Sequence, residues 1–384
     1  MISIKECAPD WEKVKEKHLA FIVPWVEEKI DFYSRLLICI RFGRINRHTS
    51  NDFFDLLKNE FELTNAGKHS FFRSKAKLVL ISNTIENKNA YVNLLNPNNL
   101  KKSLQEMFKH LNYLKDHIDE IINFEFTPPY STGYRNLKLI YLKTCHIDFL
   151  YDEIFDYDGF TKISSTESWG SYQLLQDLGI NVCPYCNRQF TSTVLHGSQE
   201  IIRPDLDHFL PKKNIENKLL QVSFFNLIPS CAVCNRNLKH DKNICYTEHL
   251  NPYETNPKHE LMKFSYVPRL MPGATGNSND FDIVIKSNHV SSYLNYKSDG
   301  NKKLFKLQEI YQMHKDLVQD LIKRKEIWDA QHIRLTKNTY TDLRMKPEDA
   351  YRQLFGTYFE EEHFAKRPLS KLTKDIAEKL ELLK

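Results

Sequence analysis

Apolar positions recur at intervals of three and four along much of the chain, the spacing of helices that bury one face. Between Lys101 and Phe124 the apolar residues Leu104, Met107, Phe108, Leu111, Leu114, Ile118, Ile121 and Ile122 form one such stripe, read as core rather than as a partner surface. Helices are also expected over Trp11 to Ile40, which Pro24 should interrupt, and over Tyr134 to Phe155. Thr49 to Asp52 is a candidate N-cap for FFDLLKNEF, and Ser164 to Glu167 offers starts for a short helix from Trp169 to Leu178 that Gly179 ends. The helical period returns from Leu304 through Leu307, Ile310, Tyr311, His314, Leu317, Val318 and Leu321, and a last helix is expected from Ser370 onward. Strand alternation marks Lys263 to Val267 and Phe281 to Ile285, on either side of the turn-rich MPGATGNSND. A further strand end falls in the run Ile201 to Leu210, closed by Pro211.

Helices with few strands indicate an α+β chain, and composition agrees. Among 384 residues there are only 11 Gly but 19 Tyr and 24 Phe, and hydrophobic residues make up 41%. That is enough for a sizeable core and argues against a disordered or glycine-rich chain. Thr127-Pro128-Pro129 is the clearest early boundary. Four segments are expected: a helical region over 1–170, a compact module over 171–260, a β-hairpin extension over 261–300 and a helical region over 301–384. The helical arms are expected to pack around the module, contact a partner or form an oligomer. The charged start lacks a secretory signal, and the apolar run Leu36 to Ile40 is cut by Arg35 and Arg41, so a cytoplasmic protein without membrane spans is expected.

The cysteines sharpen this picture. Of eight, Cys7, Cys39, Cys145 and Cys245 are scattered, whereas Cys183, Cys186, Cys231 and Cys234 form two CxxC pairs separated by 44 residues. Two such pairs can point four thiolates at one ion, a closed tetrahedral shell that suits structural zinc. A closed shell leaves no position for substrate, so any chemistry must lie elsewhere.

Candidates for it stand between and beside the pairs. Asp207 is a hard oxygen donor of the kind Mg²⁺ or Mn²⁺ prefers, and His208 is suited to act as a general base. Adjacent strand residues face opposite ways, so both serve one site only if the backbone bends there. Asn226, in the apolar stretch FFNLIP, can bridge backbone groups and fix the His208 loop; Asn235, directly after Cys234, can offer a carbonyl oxygen to a cation opposite Asp207. A turn cap for Asn226 and a helix-surface position for Asn235 are the ordinary alternatives. His146, His196, His314 and His363 are read as structural.

This order of residues resembles the HNH endonuclease family and its ββα-metal finger, a treble-clef-like module. The resemblance covers about 60 residues, roughly Cys183 to Lys242. It implies that His208 is the base, Asp207 and Asn235 bind the catalytic Mg²⁺ or Mn²⁺, and Asn226 orients the base. Asn rather than His in the last position leaves His240 as an alternative contributor. CPYCNR, LDHFLPK, NLIPSC, LNPYE (Leu250 to Glu254) and RPLSKLTKDIA (Arg367 to Ala377) look like prokaryotic HNH proteins that work with an SMC/ABC-like ATPase in Septu-type anti-phage defence. The chain has no phosphate-binding G-x-x-x-x-G-K-[ST] loop of its own, so ATP dependence would come from that partner.

The net charge of +5 permits nucleic-acid binding. From Cys183 to Lys242 eight basic residues face five acids, and Lys212, Lys213, Arg236 and Lys239 are the expected DNA phosphate contacts. Any one of these cations can equally be an ordinary solvated side chain. Two other functions share the residue set: a non-catalytic zinc-binding module for nucleic acid or protein, and an RNA- or tRNA-cleaving toxin.

Overall fold

A computed structural model describes residues 1–41, 100–126, 132–164, 168–197, 199–240, 242, 244–254, 261–287, 291–327, 338–339 and 346–382. The expected N-cap at Thr49 to Asp52, the boundary at Thr127 to Pro129 and part of the start Ser164 to Glu167 lie outside them. The described chain combines helices with three two-stranded antiparallel sheets, an α+β arrangement. No described helix is long and apolar enough to cross a membrane.

Two compact units contain the chain. One comprises Met1–Ile22, Glu120–Arg135 and Phe155–Lys384; the other comprises Val23–Asp119 and Asn136–Ile154. Residues 171–260 and 261–300 fall in the first unit.

In the second unit, Met107, Leu111 and Leu114 lie buried along Leu100–Asp116, and Lys115 meets both carboxylate oxygens of Asp31 at 2.7 and 2.8 Å. The expected long stripe to Phe124 is broken at His117, after which Ile118–Ile122 forms a separate short helix. Pro24 does not interrupt the helix Trp11–Arg41. Proline removes one N–H, but Ile22, Val26 and Ile30 are fully buried along one face, and this apolar face carries the helix through.

In the first unit the short helix Ser171–Leu178 ends at Gly179, whose φ of 63° is the left-handed cap that glycine takes without strain. The chain then makes strands β1 (Val194–His196) and β2 (Gln199–Ile202), a hairpin. The expected strand end in the run Ile201 to Leu210 is that of β3 (Asp205–His208), which stops three residues before Pro211 and is separated from β2 by Arg203 and Pro204. β3 pairs with β4 (Leu227–Ser230) in the register Asp205 with Ser230 through His208 with Leu227. Strands β5 (Lys263–Pro268) and β6 (Phe281–Lys286) form the third sheet.

The flanking motifs that had no mechanism in the sequence are interior ties of this unit. In LNPYE, Asn251 donates its amide to Phe225 O at 2.9 Å, and Glu254 forms a buried ion pair with Lys297. Asn301 closes on both the N–H and the carbonyl of Leu250, each at 2.9 Å. In RPLSKLTKDIA, Asp375 accepts the β5 N–H of Phe264 at 2.8 Å and pairs with Lys371 at 3.3 Å. Leu369 takes a left-handed backbone, with φ 62°, and its N–H donates to Asn187 O at 2.7 Å. In CPYCNR, Asn187 returns the tie: it donates to Phe364 O at 2.9 Å and accepts from Lys371 N–H at 3.1 Å. The C-terminal helix Ser370–Lys379 is thus latched to the first cysteine pair.

Candidate active site and metal centre

Four buried cysteines, Cys183, Cys186, Cys231 and Cys234, bring their sulfurs within 4.8 Å of one another, a set able to hold a metal ion such as zinc. Tetrahedral thiolate ligation of zinc places sulfurs about 3.8 Å apart, and Cys186 Sγ lies 4.0 Å from Cys231 Sγ. Local backbone makes both turns. Asn187 N–H donates to Cys183 O at 2.7 Å with φ 48° at Asn187, and Asn235 N–H donates to Cys231 O at 3.0 Å. Hydrogen bonds, chiefly from Cys183, pull the Cys186 and Cys231 thiols down, whereas Cys183 is pushed up by burial and Cys234 by its hydrogen bonds to Cys183 and the other two. A cation completes such a set by drawing off the remaining thiol protons.

After Cys234 the chain winds into the wide turns of a π-helix, Val233–Lys239, closed by His240 N–H on Asn235 O at 2.8 Å. Lys239 is the last residue of this helix and is buried. Lys239 is not a surface phosphate contact: it is 2% exposed, and its ammonium lies 2.6 Å from Asp207 Oδ1 and also on the carbonyl of His208. Tyr185, the residue inside the first CxxC, donates its hydroxyl to Asp207 Oδ2 at 2.8 Å. Burial pushes the Asp207 carboxyl up and the Lys239 ammonium down, while their attraction and the Tyr185 hydroxyl act in the opposite sense.

Asp205 and Asp207 share one face of β3, two residues apart. Asn235 donates to Asp205 Oδ2 at 3.1 Å, not to Asp207, and Arg236 grips Asp205 with Nε at 2.7 Å and a second nitrogen on the other oxygen. Burial raises the Asp205 carboxyl, but the Arg236 and Asn235 hydrogen bonds outweigh it and hold it below its ordinary value. Of the expected cation pair, Asp207 has both carboxylate oxygens taken, by Tyr185 and Lys239, whereas Asn235 is engaged through its amide nitrogen on Asp205. Asp207 as arranged does not fit a divalent cation.

His208 closes β3 and, by alternation, points away from the two aspartates. Its Nε2–H donates to Gln221 O at 2.9 Å, and its ring meets Tyr157 edge-on with centroids 4.3 Å apart. Burial lowers its pKa to about 3, with Lys239 and Lys212 adding to the effect against the Gln221 hydrogen bond. The imidazole is neutral, and with Nε2 committed, Nδ1 carries the basic lone pair. Tyr157 also donates to Leu206 O at 2.8 Å.

Asn226 fixes the loop behind this histidine. Fully buried, it accepts Leu210 N–H at 2.7 Å and donates to Leu220 O at 3.0 Å, and its own carbonyl accepts Phe209 N–H at 2.8 Å. The Gln221–Ser223 segment is held from outside as well: His18 donates to Val222 O at 2.8 Å, and Ser223 Oγ to Ile122 O at 3.1 Å. Asn226→Ala leaves a buried N–H without its acceptor and a carbonyl without its donor. At about 1–3 kcal/mol for each unsatisfied group, a loss of roughly 3 kcal/mol is expected in denaturant unfolding; a change under about 0.5 kcal/mol contradicts the assignment.

Several cations lie on the same stretch of chain, Arg203 half-buried and the others exposed. Lys212 lies 4.9 Å over the Tyr157 ring and 3.5 Å from Asp158, and Arg203 lies 5.6 Å from the Tyr172 ring. Lys213, Arg236 and His240 are exposed. Sequence reasoning missed Tyr185, Asn187, His18, Tyr157 and Gln221. Only Tyr185 and Asn187 carried a signal, their places inside and directly after a CxxC pair.

Compared with family models, curated proteins and solved structures, the chain gives no match.

Proposed function

We propose that the first unit is a nuclease of the HNH kind that hydrolyses phosphodiester bonds of DNA, acting with an SMC/ABC-like ATPase in prokaryotic anti-phage defence. The observation that carries this reading is His208, a neutral imidazole at a strand end, oriented through Nε2 by Gln221 O on a loop that Asn226 holds. Nδ1 is the nitrogen left to take a proton from water as a general base, and the burial that lowers its pKa weakens that base until substrate or a partner changes its surroundings. Lys212, Lys213 and Arg236 are exposed cations on the same stretch and suit the phosphate backbone, a contact that weakens with salt and is blind to sequence. In the resembled family a divalent cation supplies charge stabilisation at the phosphate. In this chain both oxygens of Asp207 are taken by Tyr185 and Lys239.

One observation favours a second reading, a non-catalytic zinc-binding module: both oxygens of Asp207 are closed by internal donors. Incubating the purified protein with plasmid DNA and with RNA, in Mg²⁺ or Mn²⁺, alone and with its ATPase, separates the alternatives. DNA cleavage is expected. Cleavage of RNA only moves the substrate class, and cleavage of neither under all conditions leaves the non-catalytic module.

A further inference from the structure

Asp207 is a buried carboxylate whose charge is matched from within. Its side chain is 4% exposed and that of Lys239 is 3%, so neither shares its charge with solvent. The ammonium contacts two oxygens, Asp207 Oδ1 and the adjacent carbonyl of His208. A carboxylate beside a main-chain carbonyl is also the donor set a small hard cation takes. An ion bound at about 2.1 Å from Oδ1 would lie within roughly 5 Å of the Lys239 nitrogen, which is itself 2.6 Å from that oxygen. Two cations that close in a buried site repel strongly. The second oxygen gives no easier entry, because Tyr185, fully buried, already donates to it.

We propose that the Lys239 ammonium is the resident cation of Asp207 and that it excludes a divalent cation from this carboxylate. The proposal deepens the nuclease reading by moving any divalent ion off Asp207, but the ion pair itself stands whether or not the protein cuts DNA. Lys239 acts as a positioning residue: it ties the helical turn after Cys234 to the strand end that carries His208.

Mn²⁺ alone is the probe, titrated into the full chain with its thiolate-held metal in place and followed by the electron paramagnetic resonance signal of the free ion. Mn²⁺ prefers oxygen and does not compete for thiolates. In Asp207→Asn/Lys239→Met the charges are removed together. This variant is expected to match the unmodified protein within twofold, including the case in which neither binds. A tenfold or greater loss overturns the proposal, since Asp207 would then have been a ligand. In Lys239→Met alone the vacated carboxylate is expected to bind Mn²⁺ at least tenfold more tightly, and equal or weaker binding overturns the proposal. Should that single variant fail to fold, the paired variant still decides. Cleavage is scored separately: a protein that never cuts DNA counts against the nuclease reading and leaves the Mn²⁺ result intact.

Discussion

Cys231→Ser is expected to lose the metal of the four-cysteine cluster and to unfold the structure around it. Zinc held by four protein ligands contributes about 10–16 kcal/mol in small fingers, comparable to the roughly 5–15 kcal/mol of net stability of a whole domain. Here the cluster also anchors other elements. The first CxxC pair is tied to the C-terminal segment through Asn187, to Tyr311 through the Cys186 carbonyl and to Asp207 through Tyr185. A loss of only about 4 kcal/mol lowers Tm by roughly 10 °C in a unit of this size. Metal analysis and thermal unfolding on the same preparation measure both parts. Less than one-tenth of an equivalent of zinc and a Tm lower by at least about 10 °C are expected; a full equivalent with an unchanged Tm contradicts the site.

Lys239→Met is expected to cost about 3–5 kcal/mol, the range for breaking a buried ion pair by removing one partner. The partner left behind is the reason: Asp207, 4% exposed, keeps only Tyr185 and must either hold an uncompensated charge or take up a proton. Asp207→Asn/Lys239→Met should recover most of the loss, since replacing both charges in the interior is close to neutral. Urea unfolding with unchanged slope reads the difference. A single variant within about 1 kcal/mol of the unmodified protein would mean that the pair contributes little to holding β3 to the turn after Cys234.

What was legible in the sequence followed from spacing. The two CxxC pairs converge, the alternating runs at Lys263 and Phe281 pair as a hairpin, and Gly179 ends its helix. These are local consequences of residue type and period. What was not legible depends on the third dimension. Asp207 and Asn235 can be counted along the chain, but their partners cannot. Strand alternation puts Asp205 beside Asp207 on one face, and Asp205, read from sequence only as a charge, receives Asn235 and Arg236. The π-helix is the second hidden step. Lys239, expected on DNA phosphates, ends this helix buried against Asp207. Pro24 is the third, a local breaker overridden by the buried face of a long helix. The motifs LNPYE and RPLSKLTKDIA were recognisable as patterns, yet their reason is a set of buried ties between distant segments.

Chemistry at the His208 end of β3 is tested most directly by single-turnover cleavage of plasmid DNA by the protein and by His208→Ala, at matched metal content and Tm, with the ATPase present. A loss of about 10²–10⁴ in rate, with zinc and folding unchanged, is the predicted result. Cleavage at the unmodified rate by the His208→Ala protein would contradict it.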